Sequence, residues 1–543
     1  MINSLIILKN KIILTGYSQI KSVKMKHKIM YVLLLLITAA TSCTKEFKDL
    51  KEDTNRPANV PASLVLSGVL IDFTQNAWSE AHRWNQFNAI NYNYYGNQEY
   101  NWKDVSFGTY NTLKNIGKME EEAIASGAKP LNSYSALGKF FRANLFYNLT
   151  MKVGDVPMTD ALKGLSNPTP KYNTQKEIFV QVLKWLEESN TEVATLIAAP
   201  DNILTGDFYY NNDLRKWQKA INAFKLRVLI QLSKKEGEAD LGLKAKFAEV
   251  VANPAKYPVL TGLVDNMQYV YNNTFNKYPT SPDNYGFDAT RYNTSATFLN
   301  NLVALQDPRT FVTAEPASKK VKAGISPTSY AAFLGASSGE DLADMSSKAG
   351  NGEYSFINRK KYYSTYTAEP NIQIGYSEMC FNIAEAINKG WVTGSAEDWY
   401  KKGLQSSITF SGIVLGDNTV YFQKAGGGLN DYDTYVINYN QDTYYNQASV
   451  KYAGDNMAGL NQILLQKYLA FFQNSGWEAY YNWRRTGVPT FLTGPGTGNS
   501  QRIAKRFLYP TSETATNGEN LKAALQSQFG GKDEINESIW VIK

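Results

Sequence analysis

Beyond residue 43 the chain holds one histidine, His82, and one cysteine, Cys380. That scarcity excludes a zinc site built from His and Cys ligands. It leaves His82 as the sole histidine base and, if Cys43 is modified, leaves Cys380 without a disulfide partner. His82 lies close to Trp84 and reads as a surface or helix residue. Cys380 sits at helical spacing with Ile383, Ala384 and Ile387, the pattern of a small core residue rather than a nucleophile. Paired-carboxylate chemistry of the glycosidase kind is not excluded by these absences. A surplus of either charge is also missing. Six of the 56 Lys and Arg precede Cys43 and no acid does, so 50 basic residues face 49 acidic ones in the rest of the chain. A nucleic-acid binder needs excess cations to displace phosphate counterions, so no nucleic-acid partner is expected. The apolar run Ile29–Ile37 is nine residues long, against about 20 for a membrane span.

What that short run does fit is a secretory signal. Lys24, Lys26 and Lys28 precede it and the small residues 38–42 follow it. Met25 is the natural start, and residues 1–24 read as an upstream extension. Residues 25–42 then form the signal. Ala40-Thr41-Ser42-Cys43 resembles a bacterial lipobox, with Ala where Leu is usual at its first position. The reading is lipidation of Cys43, against a chance cysteine beside a cleavage site. Several acyl chains at about 0.8 kcal/mol per buried methylene would hold the protein to a membrane. Residues 44–49, TKEFKD, resemble the charged segment that sends Bacteroidetes lipoproteins to the cell surface. Residues 43–61 read as anchor and proline-punctuated tether.

The surplus lies in aromatics: 36 Tyr, 25 Phe and 10 Trp. Their flat faces and polar edges suit both sugar rings and large helical cores. Helical patterning starts at Ala62. Leu137, Phe140, Phe141, Leu145 and Leu149 share one stripe, and Thr174 with Glu177 forms a capping box before a second amphipathic helix. Lys216–Lys235 is apolar on most sides. Residues 374–390 and 395–412 read as a helix pair with Gly390–Gly394 as the turn, and Leu460, Leu464, Tyr468, Phe471 and Phe472 share a further face. Between the helices lie polar segments too long for ordinary connections, 264–297, 335–370 and 414–458, which usually carry function. Runs such as Thr434–Asn438 fit short hairpins. The expected fold is all-α: helix pairs of tetratricopeptide type over residues 62–543, decorated with long loops and short hairpins.

The order of FFRANLFYNLTMKVGDVP (140–157), WQKAINAFKLRVLIQLS (217–233), YSEMCFNIAEAINKGW (376–391), ILLQKYLAFFQNSGWEAYYNWRRTGVP (463–489) and RFLYPTSE (506–513) resembles the SusD/RagB family of Bacteroidetes surface lipoproteins. DTNRPANVPASLVLSGVL (53–70) fits its N-terminal entry. The resemblance implies a non-enzymatic protein that binds nutrients, commonly glycans and sometimes peptides, outside the cell. It also implies a partner, a SusC-like TonB-dependent barrel in the outer membrane, over which the protein forms a lid. A surface glycosidase or an adhesin are the competing classes.

Asn91–Trp102, NYNYYGNQEYNW, packs four Tyr, four Asn, a Trp and a Gly into twelve residues with neither helical nor strand period. Tyr95, Tyr100 and Trp102 are the expected stacking platforms, with Asn97 and Asn101 bonding hydroxyls or peptide groups. Tyr285, Phe287 and Arg291 are expected on the opposite wall. The competing reading is that these aromatics anchor loops. Arg484 and Arg485 in WRRTG are expected to bond helix-end carbonyls or buried acids rather than an anion. Glu378 and Glu385 show no catalytic pairing, and Asp431 and Asp433 lack the rest of a calcium loop. No metal, cofactor or catalytic residue is assigned.

Overall fold

The computed structural model describes residues 60–543. The signal, the lipobox cysteine Cys43 and most of the tether lie outside the described residues. Residues 61–543 form one compact unit.

Helices dominate that unit, as expected. The principal ones are α1 (Ala62–Phe73), α2 (Thr109–Ala125), α3 (Ser133–Val153), α4 (Gln175–Ala198), α5 (Leu214–Gln231), α6 (Leu243–Ala252), α7 (Tyr376–Asn388), α8 (Ala396–Phe410), α9 (Met457–Ala470) and α10 (Glu478–Thr486). Neighbours along this series pack on one another: α1 on α2, α2 on α3, α3 on α4, α4 on α5, and α7 on α8. The start signals work as read. Thr174 Oγ1 accepts from the Glu177 amide (3.3 Å) while the Glu177 carboxylate accepts from the Thr174 amide (2.8 Å). In α3 the predicted stripe is buried, Phe140 and Phe141 completely. Close helix crossings need small residues. A Cβ on Gly403 of α8 would lie 2.7 Å from the Phe381 ring of α7.

α5 is the hub, packing on α4, α7 and α10. Its burial on most sides brings charges inside, and each finds a partner. Arg227 donates through Nε to Glu378 (2.7 Å) and through Nη2 to the Gln373 carbonyl (2.7 Å). Glu378 and Glu385 thus hold the scaffold together. Arg485 of α10 pairs with Glu385 through both terminal nitrogens, the Nη2 bond measuring 2.9 Å. Arg484 donates to the carbonyls of Lys505 (2.6 Å) and Met151 (2.8 Å). The inward reading of WRRTG holds. Burial works to raise the Glu385 carboxyl, but Arg485 and Lys467 outweigh it and hold it below its ordinary value. The same burial drives the Lys467 ammonium down to about 8, against the pull of Glu385.

His82 is buried in the middle of the short helix Glu80–Trp84, not on the surface, and desolvation drops its pKa to about 3. Cys380 is a fully buried core thiol, pushed up to about 12. No described helix is long and apolar enough to cross a membrane.

The long polar segments supply small antiparallel ribbons. β1 (Asn88–Ile90) pairs with β2 (Tyr292–Thr294), and β3 (Gly416–Gln423) with β4 (Tyr432–Tyr439) in register Gly416–Tyr439 through Gln423–Tyr432. β4 contains the predicted arm Thr434–Asn438. Along β3 the period is two: Asn418, Val420 and Phe422 point inward, Thr419 and Tyr421 outward.

Candidate functional site

β1–β2 pairing places the turn after β1 against the segment before β2. The Asn91 amide donates to the Arg291 carbonyl and its side chain to the Thr290 carbonyl, both at 3.0 Å. Tyr95 Oη donates to the Phe287 carbonyl (3.0 Å), and the Arg291 guanidinium lies 4.7 Å from the Tyr92 ring centre. Tyr95, Phe287 and Arg291 therefore meet, although almost 200 residues separate them in sequence. Around them stand exposed rings: Tyr94 at 82%, Phe287 at 72% and Tyr92 at 49%.

Tyr285 lies in the one-turn helix Tyr285–Asp288 and faces a cavity of about 550 Å³. One wall is the segment Tyr354–Arg359, fixed by bonds from the Glu315 amide to the Phe356 carbonyl (2.9 Å) and from the Ile357 amide to the Tyr292 carbonyl (3.2 Å). The other is the β3–β4 ribbon, through Phe422, Tyr435 and the tip residues Lys424–Gly427. The tip is closed by its own bonds: the Asp431 carboxylate accepts from the Gly428 amide (2.7 Å), and Gln423 Nε2 donates to the Gly428 carbonyl (2.6 Å). Gly426 has φ +74°, a conformation side chains avoid, so the tight tip needs glycine there. Tyr285 Oη reaches the Gly427 carbonyl at 3.4 Å.

The cavity is thus lined by Tyr285, Tyr354, Phe356, Phe422 and Tyr435 with polar groups between them. Phe422 and Tyr435 pack at 5.5 Å with rings tilted by 36°. One ion pair is set into the wall. Arg359 Nε donates to Glu315 Oε2 (2.9 Å) and its amide to Oε1 (3.0 Å). Desolvation pulls on the Arg359 proton, but Glu315 outweighs it and holds the guanidinium above its ordinary value. Among the described residues no cluster of three His, Cys, Asp or Glu side chains suits a metal.

Three of the sequence expectations need correction. Tyr100 and Trp102 are 1% and 5% exposed. Gln98 bonds both the amide and the carbonyl of Ile90 (2.9 Å each), turning the chain inward, and the Tyr100 amide then bonds the Thr497 carbonyl (2.7 Å). Tyr100 Oη donates to the Trp84 carbonyl (2.7 Å), and Trp102 stacks on Phe507 at 4.3 Å with 9° between planes. Rings packed this way offer no face to a ligand. Asn101 is exposed but spends its side chain on Glu99 (2.8 Å) and the Asn499 amide (2.6 Å). Asn97, half-buried, accepts from the Glu99 amide (3.1 Å) and shapes the same loop. Tyr354, Phe356, Arg359, Phe422 and Tyr435 were not anticipated, although the long segments 335–370 and 414–458 that carry them were.

A family model described as SusD-like, starch-binding associating with outer membrane, matches residues 54–510. The chain belongs to this SusD-like family. The family is one of nutrient- and glycan-binding proteins of the outer membrane. Solved SusD-like structures agree. A SusD homologue of Bacteroides fragilis NCTC 9343 is 29% identical, with TM-score 0.78 over 89% of this chain and all of its own. A second homologue from the same strain is 28% identical, with TM-score 0.72 over the same shares. A chitin-binding SusD homologue from Flavobacterium johnsoniae is 18% identical, covers 89% of this chain and 98% of its own, and shares the fold with TM-score 0.67. No curated protein matches the chain. In this SusD-like protein the cavity and the exposed rings meet at Tyr285–Arg291: Tyr285, Ala289 and Thr290 line the cavity, and Phe287 and Arg291 join the ring patch.

Proposed function

We propose that this SusD-like protein captures an oligosaccharide in the cavity beneath the β3–β4 ribbon. A lipid on Cys43 holds it on the outer membrane, facing the cell exterior. From there it delivers the ligand, as a lid, to a SusC-like TonB-dependent transporter. The observation that carries the ligand reading is the lining itself. Tyr285, Phe356 and Tyr435 present rings beside unpaired polar groups in a cavity of about 550 Å³, a size typical of small-ligand sites. Sugar rings bring C–H faces for the aromatics and hydroxyls for the polar edges. Tyr92, Tyr94 and Phe287 extend the apolar surface for a longer chain.

A peptide is the second reading. Lys322, Lys424 and Asp433 line the cavity and form no ion pair with a described residue, so they suit peptide charges. A glycosidase is less supported. Glu315, the buried carboxylate of the lining, has both oxygens engaged by Arg359, whereas a catalytic acid needs a proton to give.

Calorimetry on the purified protein with malto-oligosaccharides, chito-oligosaccharides and short peptides tests the reading. The expected result is binding of one oligosaccharide class, weakened by about 1–3 kcal/mol in Tyr285→Ala and Tyr435→Ala, by analogy with base stacking, at unchanged helicity. Peptide-only binding replaces the ligand class. Unchanged affinity in both variants removes the cavity from the site.

A further inference from the structure

One edge of the β3–β4 ribbon is unpaired. The Lys424 amide donates to the Asp431 carbonyl (2.9 Å) at the tip. In the observed register that bond fixes the alternation, so Asp433, Tyr435, Ile437 and Tyr439 exchange bonds with β3. Tyr432, Thr434, Val436 and Asn438 therefore turn their amides and carbonyls away from β3, and none of these groups bonds another described residue. Neighbouring edges are closed by the chain itself. On β3 the outward Tyr421 carbonyl accepts from Asn358 Nδ2 (3.1 Å). On the β1–β2 ribbon Gln98 takes both Ile90 groups, and the Thr294 amide bonds the Ser355 carbonyl (2.9 Å).

Proteins blunt a free edge with lysine, proline, a bulge or brevity. β4 uses none of these. It runs for eight residues, YDTYVINY, in unbroken register, with Asp433 as its one charge. Val436 is 59% exposed on the outer face that it shares with Tyr421. The strand also complements itself. Antiparallel pairing about a two-fold axis at Tyr435 sets Thr434 opposite Val436 of a second copy, and Tyr432 opposite Asn438. In this register all four outward residues find an outward mate; a slip of one pair either way leaves some without. Thr–Val pairs then lie on the outer face and Tyr435 meets its counterpart on the inner face, pairings that stabilise a sheet. Asp433 falls opposite Ile437 rather than against its own copy.

We infer that β4 pairs with β4 of a second copy of this chain, making a four-stranded antiparallel sheet with two-fold symmetry. Asp433 and Tyr435 line the ring-lined cavity, so the pairing sets two cavities side by side under one sheet, with a Tyr435 from each copy at the junction. The pairing rests on the backbone edge, so it stands or falls independently of the ligand reading above.

The test is sedimentation velocity of the purified full chain over a wide concentration range, with a concentration-dependent dimer expected. Thr434→Pro removes one outward amide per copy but no bond of the β3–β4 ladder, and it should weaken the dimer about tenfold or more. Val436→Lys adds the charge that free edges usually carry and should abolish it. Circular dichroism should show unchanged helicity in both. Copper–phenanthroline oxidation and non-reducing gels then read the register. Cys380 is fully buried, so a cysteine placed on β4 is the reactive thiol of the described residues. Tyr435→Cys should give a disulfide-linked dimer, because facing residues of a non-hydrogen-bonded pair stand about 4.5 Å apart at Cα. Asn438→Cys, exposed on the same strand, should not, because its mate is position 432. A wild type that stays monomeric throughout, a dimer that Val436→Lys leaves intact, or cross-linking through Asn438→Cys as readily as through Tyr435→Cys overturns the pairing. So does cross-linking of β4 to a different polypeptide without the homodimer.

Discussion

Replacing Trp102 with alanine separates a ring that binds from a ring that holds the fold. Trp102 is 5% exposed and stacks on Phe507 at 4.3 Å. Its edges meet Trp477 at 5.5 Å and Tyr480 at 5.0 Å. Its Nε1 has no partner, so truncation strands no hydrogen bond and the loss is one of packing. A buried Trp→Ala change costs about 3–5 kcal/mol. For a folded unit the size of residues 61–543, an unfolding entropy of about 2.1 cal/mol/K per residue sums to about 1 kcal/mol/K. Trp102→Ala should therefore lower the melting temperature by about 3–5 °C. Below the transition, affinity for whichever oligosaccharide the wild type binds should be unchanged. Differential scanning calorimetry and isothermal titration on the same preparation measure both. A variant that melts like the wild type but has lost ligand affinity would refute the core assignment and restore Trp102 as a stacking platform.

Arg485→Met leaves Glu385 buried without its main partner and should cost about 3–5 kcal/mol; adding Glu385→Gln should recover much of it, read by denaturant midpoint. His82 is kept neutral with its pKa lowered to about 3, so the unfolded chain binds a proton that the folded one refuses. Stability should fall as pH drops from about 6.5 toward 3, by up to about 1.4 kcal/mol per pH unit. His82→Leu should flatten that slope in pH-dependent melts; an unchanged slope assigns it to other groups. Cys43→Ala should release the protein from the membrane fraction or leave its signal uncleaved, and wild type lacking acyl chains by mass spectrometry would end the lipid-anchor reading.

Helix positions were legible because burial on a helix repeats every 3.6 residues. The Thr174–Glu177 box, the α3 stripe and the α7–α8 pair needed only neighbours a few residues apart. The inward role of Arg484 and Arg485 was legible too, since cations at a helix end without a nearby acid in sequence usually find carbonyls or distant acids. Asn91–Trp102 was harder. Its composition marks it as unusual, yet composition is the same for a ring that faces water and one that faces Phe507. The single inward turn at Gln98 divides the segment, leaving Tyr92 and Tyr94 outside and Tyr100 and Trp102 inside.

The amino-acid sequence alone determined the helical class, the order of its elements and the family, because each rests on spacing within a short window or on motifs in a fixed order. Which rings share a surface was decided by tertiary structure. The cavity draws on Tyr285, Glu315, Phe356, Arg359, Phe422 and Tyr435, and no local period links them. They meet because β1 pairs with β2, the 354–359 segment bonds both β2 and residues 313–315, and the β3–β4 ribbon folds over the opening. Side-chain exposure follows from those long-range contacts, and so does the choice between binding and packing.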